Sequence, residues 1–279
     1  MYIILSLAFK GQNYGQLLQA YATQVVLDRM GCRTQIIDYH RSGFDGIRPT
    51  PWLACYGAAR LARKLKGKKA RIEMDETHRH NIEARRCSAE TFRHTRLHDV
   101  IRIDGIRALN ELGRSCDAAM VGSDQCWLPE SCFGNLRTLR FVPDGVRKIS
   151  YATSLGVSSY PVYCRSSARQ FLRRFDFISV REEQGKRIVE SLCDKKAEVV
   201  LDPTYLLTRE DWLELIPDGR EIVGPYILGF FIGDNPRSKR AAVDFAQRAR
   251  IKLVSILSDE SCSELDLTYA DEVIAGAGP

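Results

Sequence analysis

Apolar residues recur along the chain in two rhythms that take turns. Tyr2 to Leu7 is a continuous apolar run and reads as a strand. Tyr14 to Met30 follows with Leu17, Leu18, Tyr21, Val25 and Val26 at the spacing of a helical face, and Gly31 stops it as a C-cap glycine does. Arg33 to Tyr39, with Ile36 and Ile37 inside, is the next strand. Together these segments have the length of a βαβ crossover. The alternation resumes with a helix over Ile103 to Leu112 and strands over Cys116 to Val121 and Lys148 to Thr153. A helix over Tyr163 to Arg174, a strand over Phe175 to Val180, a helix reaching Leu192 and a strand over Glu198 to Leu201 continue it. After Pro203 the pattern restarts, with strands at Tyr226 to Ile232, Lys252 to Leu257 and Glu272 to Ile274 and a helix over Arg237 to Arg250. Strands separated by helices predict an α/β fold with a parallel sheet.

The division at Pro203 predicts a first domain over residues 1–205 and a second over 206–279. Residues 41–98 interrupt the first domain as a basic helical insertion. Trp52 to Leu65 has the pattern of an amphipathic helix carrying Arg60, Arg63, Lys64 and Lys66, and Arg71 to Phe92 that of a second, very polar one. The second domain, with three strands and one helix, would leave a sheet face uncovered. The sequence stops at Ala275-Gly276-Ala277-Gly278-Pro279, a turn of the kind that normally opens a helix. The expectation is an incomplete second domain with apolar surface exposed in its C-terminal quarter.

Three strands end in polar residues: Asp124 after Gly122-Ser123, Arg181 before Glu182, and Asp202 before Pro203. In an open α/β sheet the carboxyl ends of the strands are where ligands bind. Gly122 would let the backbone turn there, with Ser123, Asp124 and Gln125 facing a crevice. The same residue types also make turns and helix caps. Arg181 could instead form an ion pair with Glu182 or Asp202, and Asp202-Pro203 could be only a turn. The loop from Gly11 to Gly15 could bind an anion at the helix start, although Asn13 taken alone reads better as an N-cap. Trp127 could stack on a sugar ring or pack in the core.

Composition narrows the classes. At 279 residues, with 44% hydrophobic and 27% charged content, the chain is that of a globular protein with room for two domains. No apolar run is long enough to span a membrane, and the apolar start lacks a basic leader. Nine cysteines without C-x-x-C spacing point to reduced thiols in a cytoplasm, not to a disulfide framework or a zinc site. Residues 41–98 hold 14 Lys and Arg against 6 Asp and Glu, while the rest of the chain is slightly acidic. That surplus suits an anionic membrane surface or lipid-diphosphate acceptor as well as a solvated helix face. The histidines in this segment (His78, His80, His94, His98) lack a metal-ligand pattern and read as exposed. No nucleic-acid partner is expected.

Six blocks carry a resemblance. They are Asn13-Tyr14-Gly15-Gln16-Leu17-Leu18-Gln19-Ala20-Tyr21-Ala22, Ile36-Ile37-Asp38-Tyr39, Val121-Gly122-Ser123-Asp124-Gln125-Cys126-Trp127, Ile149-Ser150-Tyr151-Ala152-Thr153-Ser154-Leu155-Gly156, Ile178-Ser179-Val180-Arg181-Glu182 and Val200-Leu201-Asp202-Pro203-Thr204. In this order they resemble the polysaccharide pyruvyl transferase family. The resemblance implies two Rossmann-like domains of GT-B type facing each other across a cleft, the second incomplete here. It implies transfer of pyruvate from phosphoenolpyruvate, as co-substrate and without a cofactor or metal, to two hydroxyls of a sugar or lipid-linked oligosaccharide acceptor. A cyclic ketal would form in surface polysaccharide biosynthesis, in the cytoplasm or at the inner face of the plasma membrane. Cys126 departs from the aliphatic residue usual at its position. The family's later Ser-x-His-Gly block, which holds its general-acid histidine, has no counterpart in these residues, so no histidine inherits that role; His40 alone could approach the cleft. On this ground the chain as given is expected not to catalyse pyruvyl transfer.

Phosphoenolpyruvate carries a phosphate and a carboxylate, which a planar guanidinium can grip in bidentate fashion. Arg181 is the candidate for that task, and Asp124 for taking the hydroxyl proton. Asn13, Tyr14, Gly15, Gln19, Gly122, Ser123, Gln125, Trp127, Ser154, Gly156, Glu182 and Asp202 are the candidate substrate contacts. Two other readings stay open: a nucleotide-sugar glycosyltransferase of the same architecture, and a non-catalytic fragment with residual sugar or anion binding.

Overall fold

The computed structural model describes residues 1–41, 76–216, 222–233, 235–258 and 267–279. The chain forms two compact units, Met1–Lys68 with Thr95–Thr208, and Lys69–His94 with Arg209–Pro279. The amphipathic helix expected over Trp52 to Leu65, and most of the basic surplus, lie outside the described residues.

The first unit is built on strands β1 (Tyr2–Ser6), β2 (Arg33–His40), β3 (Val100–Asp104), β4 (Ala118–Gly122), β5 (Arg147–Thr153), β6 (Phe177–Val180) and β7 (Glu198–Val199). All pair in parallel in the order β3-β2-β1-β4-β5-β6-β7. The order reverses between β1 and β4, the switch point of a Rossmann-like sheet. Period-two alternation divides the core: Ile3, Leu5, Ala118 and Met120 face one layer, and Ile4, Ala119 and Val121 the other. Helix α1 (Tyr14–Arg29) packs in the first layer through Ala20 and Leu27. The other layer takes Leu109 and Leu112 of α3 (Gly105–Arg114), Phe171 of α4 (Val162–Leu172) and Ile188 of α5 (Glu183–Leu192).

Two local readings need correction. The buried stripe of α1 runs through Leu17, Ala20, Gln24 and Leu27, not through Leu18, Tyr21 and Val25. Gln24 can be buried because its amide donates to the His98 carbonyl at 2.8 Å and accepts from the His98 amide at 3.1 Å. Strand β3 is new: the predicted helix at Ile103 begins only at Gly105, after an exposed edge strand rich in charge.

The second unit holds a parallel sheet β10-β9-β8 made of β8 (Tyr226–Phe230), β9 (Lys252–Ile256) and β10 (Glu272–Ile274). It also contains α6 (Arg209–Leu213), α7 (Pro236–Ala249) and most of α2 (Glu76–Arg96). Sequence reading placed α2 in an insertion of the first domain, but it packs beyond the carboxyl ends of this second sheet. Asn81 donates to the Ser258 carbonyl at 3.0 Å and accepts from Gly276 N–H at 2.8 Å, and Arg85 donates to the Leu257 carbonyl at 3.1 Å. A polar helix does this because what it covers is unpaired backbone at strand ends. His78, expected to be exposed, is buried on it. Apolar exposure collects on the edge strand β8, where Leu228 is 54% exposed, and at Ile232 and Phe245.

Candidate functional site

The carboxyl ends of β1, β4, β5 and β6 supply the polar groups. Asp124 follows β4 with φ +67°, a left-handed conformation that an L side chain adopts only where its surroundings hold it. Its carbonyl accepts from Cys126 N–H at 2.8 Å and Ser154 N–H at 2.9 Å, and the Ser154 carbonyl accepts from Trp127 N–H at 3.1 Å. The turn after β4 is thereby latched to the turn after β5. Ala152, at φ +51°, marks a register shift between β5 and β6. Two non-glycine residues in strained conformations thus flank one point on the sheet edge.

The Asp124 carboxylate is half-buried and accepts from Gln16 Nε2 at 2.8 Å. This contact ties the first turn of α1 to the end of β4 across the switch point. Gln16 stands three residues after the N-cap Asn13, where a capping box would turn its side chain back to the cap. It reaches forward to Asp124 instead. Asn13 does cap, accepting from Gln16 N–H at 3.4 Å. Half-buried Tyr14 and exposed Gly15 open the helix beside it.

A second cluster centres on Asp202. One of its oxygens accepts from Ser123 Oγ at 2.5 Å and Arg181 Nη1 at 2.9 Å, the other from Thr204 N–H at 3.1 Å and Thr204 Oγ at 2.9 Å. Burial alone would raise the Asp202 pKa; the hydrogen bonds from Ser123, Thr204 and Arg181 more than reverse this and hold it below the usual carboxylate range. Burial likewise opposes the charge of Arg181, but Asp202 and Glu182 together raise its pKa. The ion pair weighed for Arg181 from the sequence is therefore present with both acids, at 2.9 Å to Asp202 and 3.4 Å to Glu182. Nη2 keeps no partner among the described residues.

Sequence reading missed Arg137. It lies on the long connection between β4 and β5, and its Nη1 donates to Ser6 Oγ, at the last residue of β1, at 3.3 Å. Burial pushes the Cys126 thiol up, Arg137 pulls it down, Asp124 raises it and Arg181 lowers it, so all three charges are felt at one buried sulfur. No local motif marks Arg137; only the strand order brings it to the switch point.

Several candidates are structural. Trp127, 1% exposed, packs its ring against Phe171 and Phe175 and donates Nε1–H to the Arg137 carbonyl at 3.0 Å, so it stacks on no sugar. Gln19 is buried, its amide donating to the Ala8 and Gln16 carbonyls. Gly122 is buried, and a Cβ there would meet Leu7 at 3.1 Å, so it borders packed side chains and not an open crevice. Ser154 is buried in the latch and accepts from Gly156 N–H at 3.2 Å. Gly156 turns at φ +63°, where a Cβ would meet Leu128 and the exposed Gln125 side chain. His40 contacts Asp38 at 3.1 Å at the end of β2, and Lys10 pairs with the same carboxylate. The structure thus brings together Ser123, Arg181, Glu182, Asp202 and Thr204, sets Asp124, next to Ser123, against Gln16, and holds Arg137 at the end of β1.

The family model described as polysaccharide pyruvyl transferase matches residues 13–272. No curated protein matches the chain. Among solved structures, UDP-N-acetylglucosamine 2-epimerase from Rickettsia bellii is similar over 99% of this chain and 68% of its own, at 10% identity and a TM-score of 0.41.

Proposed function

The chain belongs to the polysaccharide pyruvyl transferase family, and from that premise we propose that the switch-point cluster binds phosphoenolpyruvate and delivers its pyruvyl group to a saccharide diol. The GT-B arrangement of two Rossmann-like domains belongs to the same reading. The observation that carries it is that a half-buried carboxylate, Asp124 after β4, shares the carboxyl edge of the sheet with two arginines, Arg137 reaching the end of β1 and Arg181 following β6. The donor has two anionic groups, and two guanidiniums match them.

The reaction forms two C–O bonds to C2 of phosphoenolpyruvate and breaks its C2–O bond to phosphate. Of the two hydroxyl protons, one is balanced by protonation of the methylene carbon and the other by the departing phosphate. Asp124 takes the proton of the attacking hydroxyl, and Gln16 holds the carboxylate in place for it. Arg181 steadies the donor through its uncommitted Nη2, while Asp202 and Ser123 fix the guanidinium plane. Arg137 holds the second anionic group. No cofactor enters; phosphoenolpyruvate is a co-substrate. A lipid-linked acceptor would place the enzyme at the cytoplasmic face of an anionic membrane, with the basic stretch of residues 41–98 as its contact. Among the described residues no helix is long and apolar enough to cross a membrane.

The test is phosphate release from phosphoenolpyruvate in the presence of a pooled set of saccharide diols, with mass detection of the ketal; turnover by this chain would overturn the expectation, drawn from the missing histidine block, that it does not catalyse the transfer. D124N should lower kcat at least about a hundredfold with little change in donor KM, the magnitude of a lost general base. A D124N enzyme that keeps its turnover but melts earlier would make Asp124 a structural residue and end this reading.

A further inference from the structure

Away from the switch point, helices α4 and α5 enclose a surface groove of about 450 Å³. Its chemistry is one-sided. Arg165, Arg169 and Arg187 line it with Ser158, Ser159 and Gln184, and no carboxylate lines it among the described residues. Four other surface arginines have acidic partners: Arg86 with Glu83 and Glu90, Arg102 with Asp104, Arg173 with Asp194 and Arg174 with Asp144. Arg173 and Arg174 follow the same helix that carries Arg165 and Arg169, so carboxylates lie within reach of that helix end but not of the groove.

Two of the three guanidiniums are also oriented. Arg165 donates Nε–H to the Tyr160 carbonyl at 3.0 Å, and Arg169 donates Nε–H to the Leu192 carbonyl at 2.8 Å. Each bond uses the inner nitrogen and leaves the outer Nη pair without a partner among the described residues. Gln184 donates to the Ser158 carbonyl at 2.6 Å and fixes the loop that presents the two serine hydroxyls. Three like charges gathered without counter-charges are mutually repulsive, and an anion relieves that repulsion.

We propose that the groove between α4 and α5 is a binding site for a diphosphate group. A guanidinium fork matches an edge of a phosphate tetrahedron. A single phosphate monoester brings at most about two negative charges, fewer than the three cations waiting there. A diphosphate supplies two tetrahedral centres and the missing charge, and the cavity is within the range of small-ligand sites. The group could arrive as a soluble diphosphate or as the headgroup of a lipid-linked saccharide. The site is independent of the assignment of Asp124.

Isothermal titration with inorganic diphosphate and with orthophosphate at low salt tests the proposal. The wild type should bind one diphosphate per chain and orthophosphate at least about fivefold more weakly, as the loss of charge-assisted hydrogen bonds requires. R187Q and R165Q should each weaken diphosphate at least about fivefold. Arg187 is exposed and has no hydrogen bond or ion pair among the described residues, so R187Q keeps the fold. R181A, which removes the guanidinium proposed to hold phosphoenolpyruvate, should bind diphosphate as the wild type does, which separates this site from the proposed catalytic one. Co-sedimentation with phosphatidylcholine vesicles, with and without a polyprenyl diphosphate, resolves the source: pelleting that needs the diphosphate lipid and is lost in R187Q assigns a headgroup, and titration without pelleting assigns a soluble ligand. A wild type that binds neither form, or R187Q and R165Q that bind like wild type, overturns the proposal.

Discussion

Asp124 holds a left-handed backbone conformation that costs an L residue about 1–2 kcal/mol, less for Asp than for most. Glycine would relieve that cost and lose one part-buried hydrogen bond from Gln16, worth about 1 kcal/mol. D124G should therefore leave Tm within a few degrees of wild type while abolishing turnover. A large drop in Tm would show that the carboxylate is needed for folding. Asp202 lends itself to a pH test. Its folded pKa lies below the usual carboxylate value, so its contribution to stability is complete above the unfolded-state value near 3.8 and is lost as pH falls through the folded value. Urea denaturation from about pH 6 downward should show the wild type losing more stability than D202N over the acid limb; equal slopes would contradict the assignment. The placement of Asp124 and Arg181 at the carboxyl ends of β4 and β6 was legible in the sequence because each comes just after an apolar run. Trp127 was ambiguous there: strand ends adjoin both solvent and core, and only the positions of Phe171 and Phe175 decide that its ring turns inward.

At the scale of elements, long apolar strands and the helices between them were legible, whereas β3 was not. An edge strand is stabilised by one neighbour and needs no buried face, so Val100–Asp104 lacks the apolar run that marks the central strands. The role of α2 was hidden for a related reason. Its buried positions include His78, Asn81 and Arg85, which a hydrophobic pattern counts as surface, and their partners are backbone groups far along the chain. Asn81→Ala leaves the Ser258 carbonyl and Gly276 N–H without their side-chain partner, a cost of about 2 kcal/mol if water does not replace it. Hydrogen exchange should then speed up in β9 and β10 while β1 and β4 keep wild-type protection. Unchanged exchange in β9 and β10 would mean that α2 only rests on the second sheet.

For the molecule as a whole, the strand order is what turns scattered residues into a site. The reversal between β1 and β4 sets the Gln16 side chain, from the helix after β1, against Asp124 after β4, and the same edge continues through β5 to Arg181 after β6. Arg137 joins them although 44 residues separate it from Arg181, a placement no local pattern encodes. Family membership points to a transferase, and in the proposed function the arginines make the anionic donor the most specific part. In the proposed function Arg181 holds phosphoenolpyruvate at this edge, and calorimetric titration of phosphoenolpyruvate into wild type, R181K and R181A measures that directly. A wild-type site should be weakened at least about tenfold in R181A and only partly restored in R181K, whose single ammonium cannot hold Asp202 and the donor in one fixed plane. Equal affinity in wild type and R181A would contradict it.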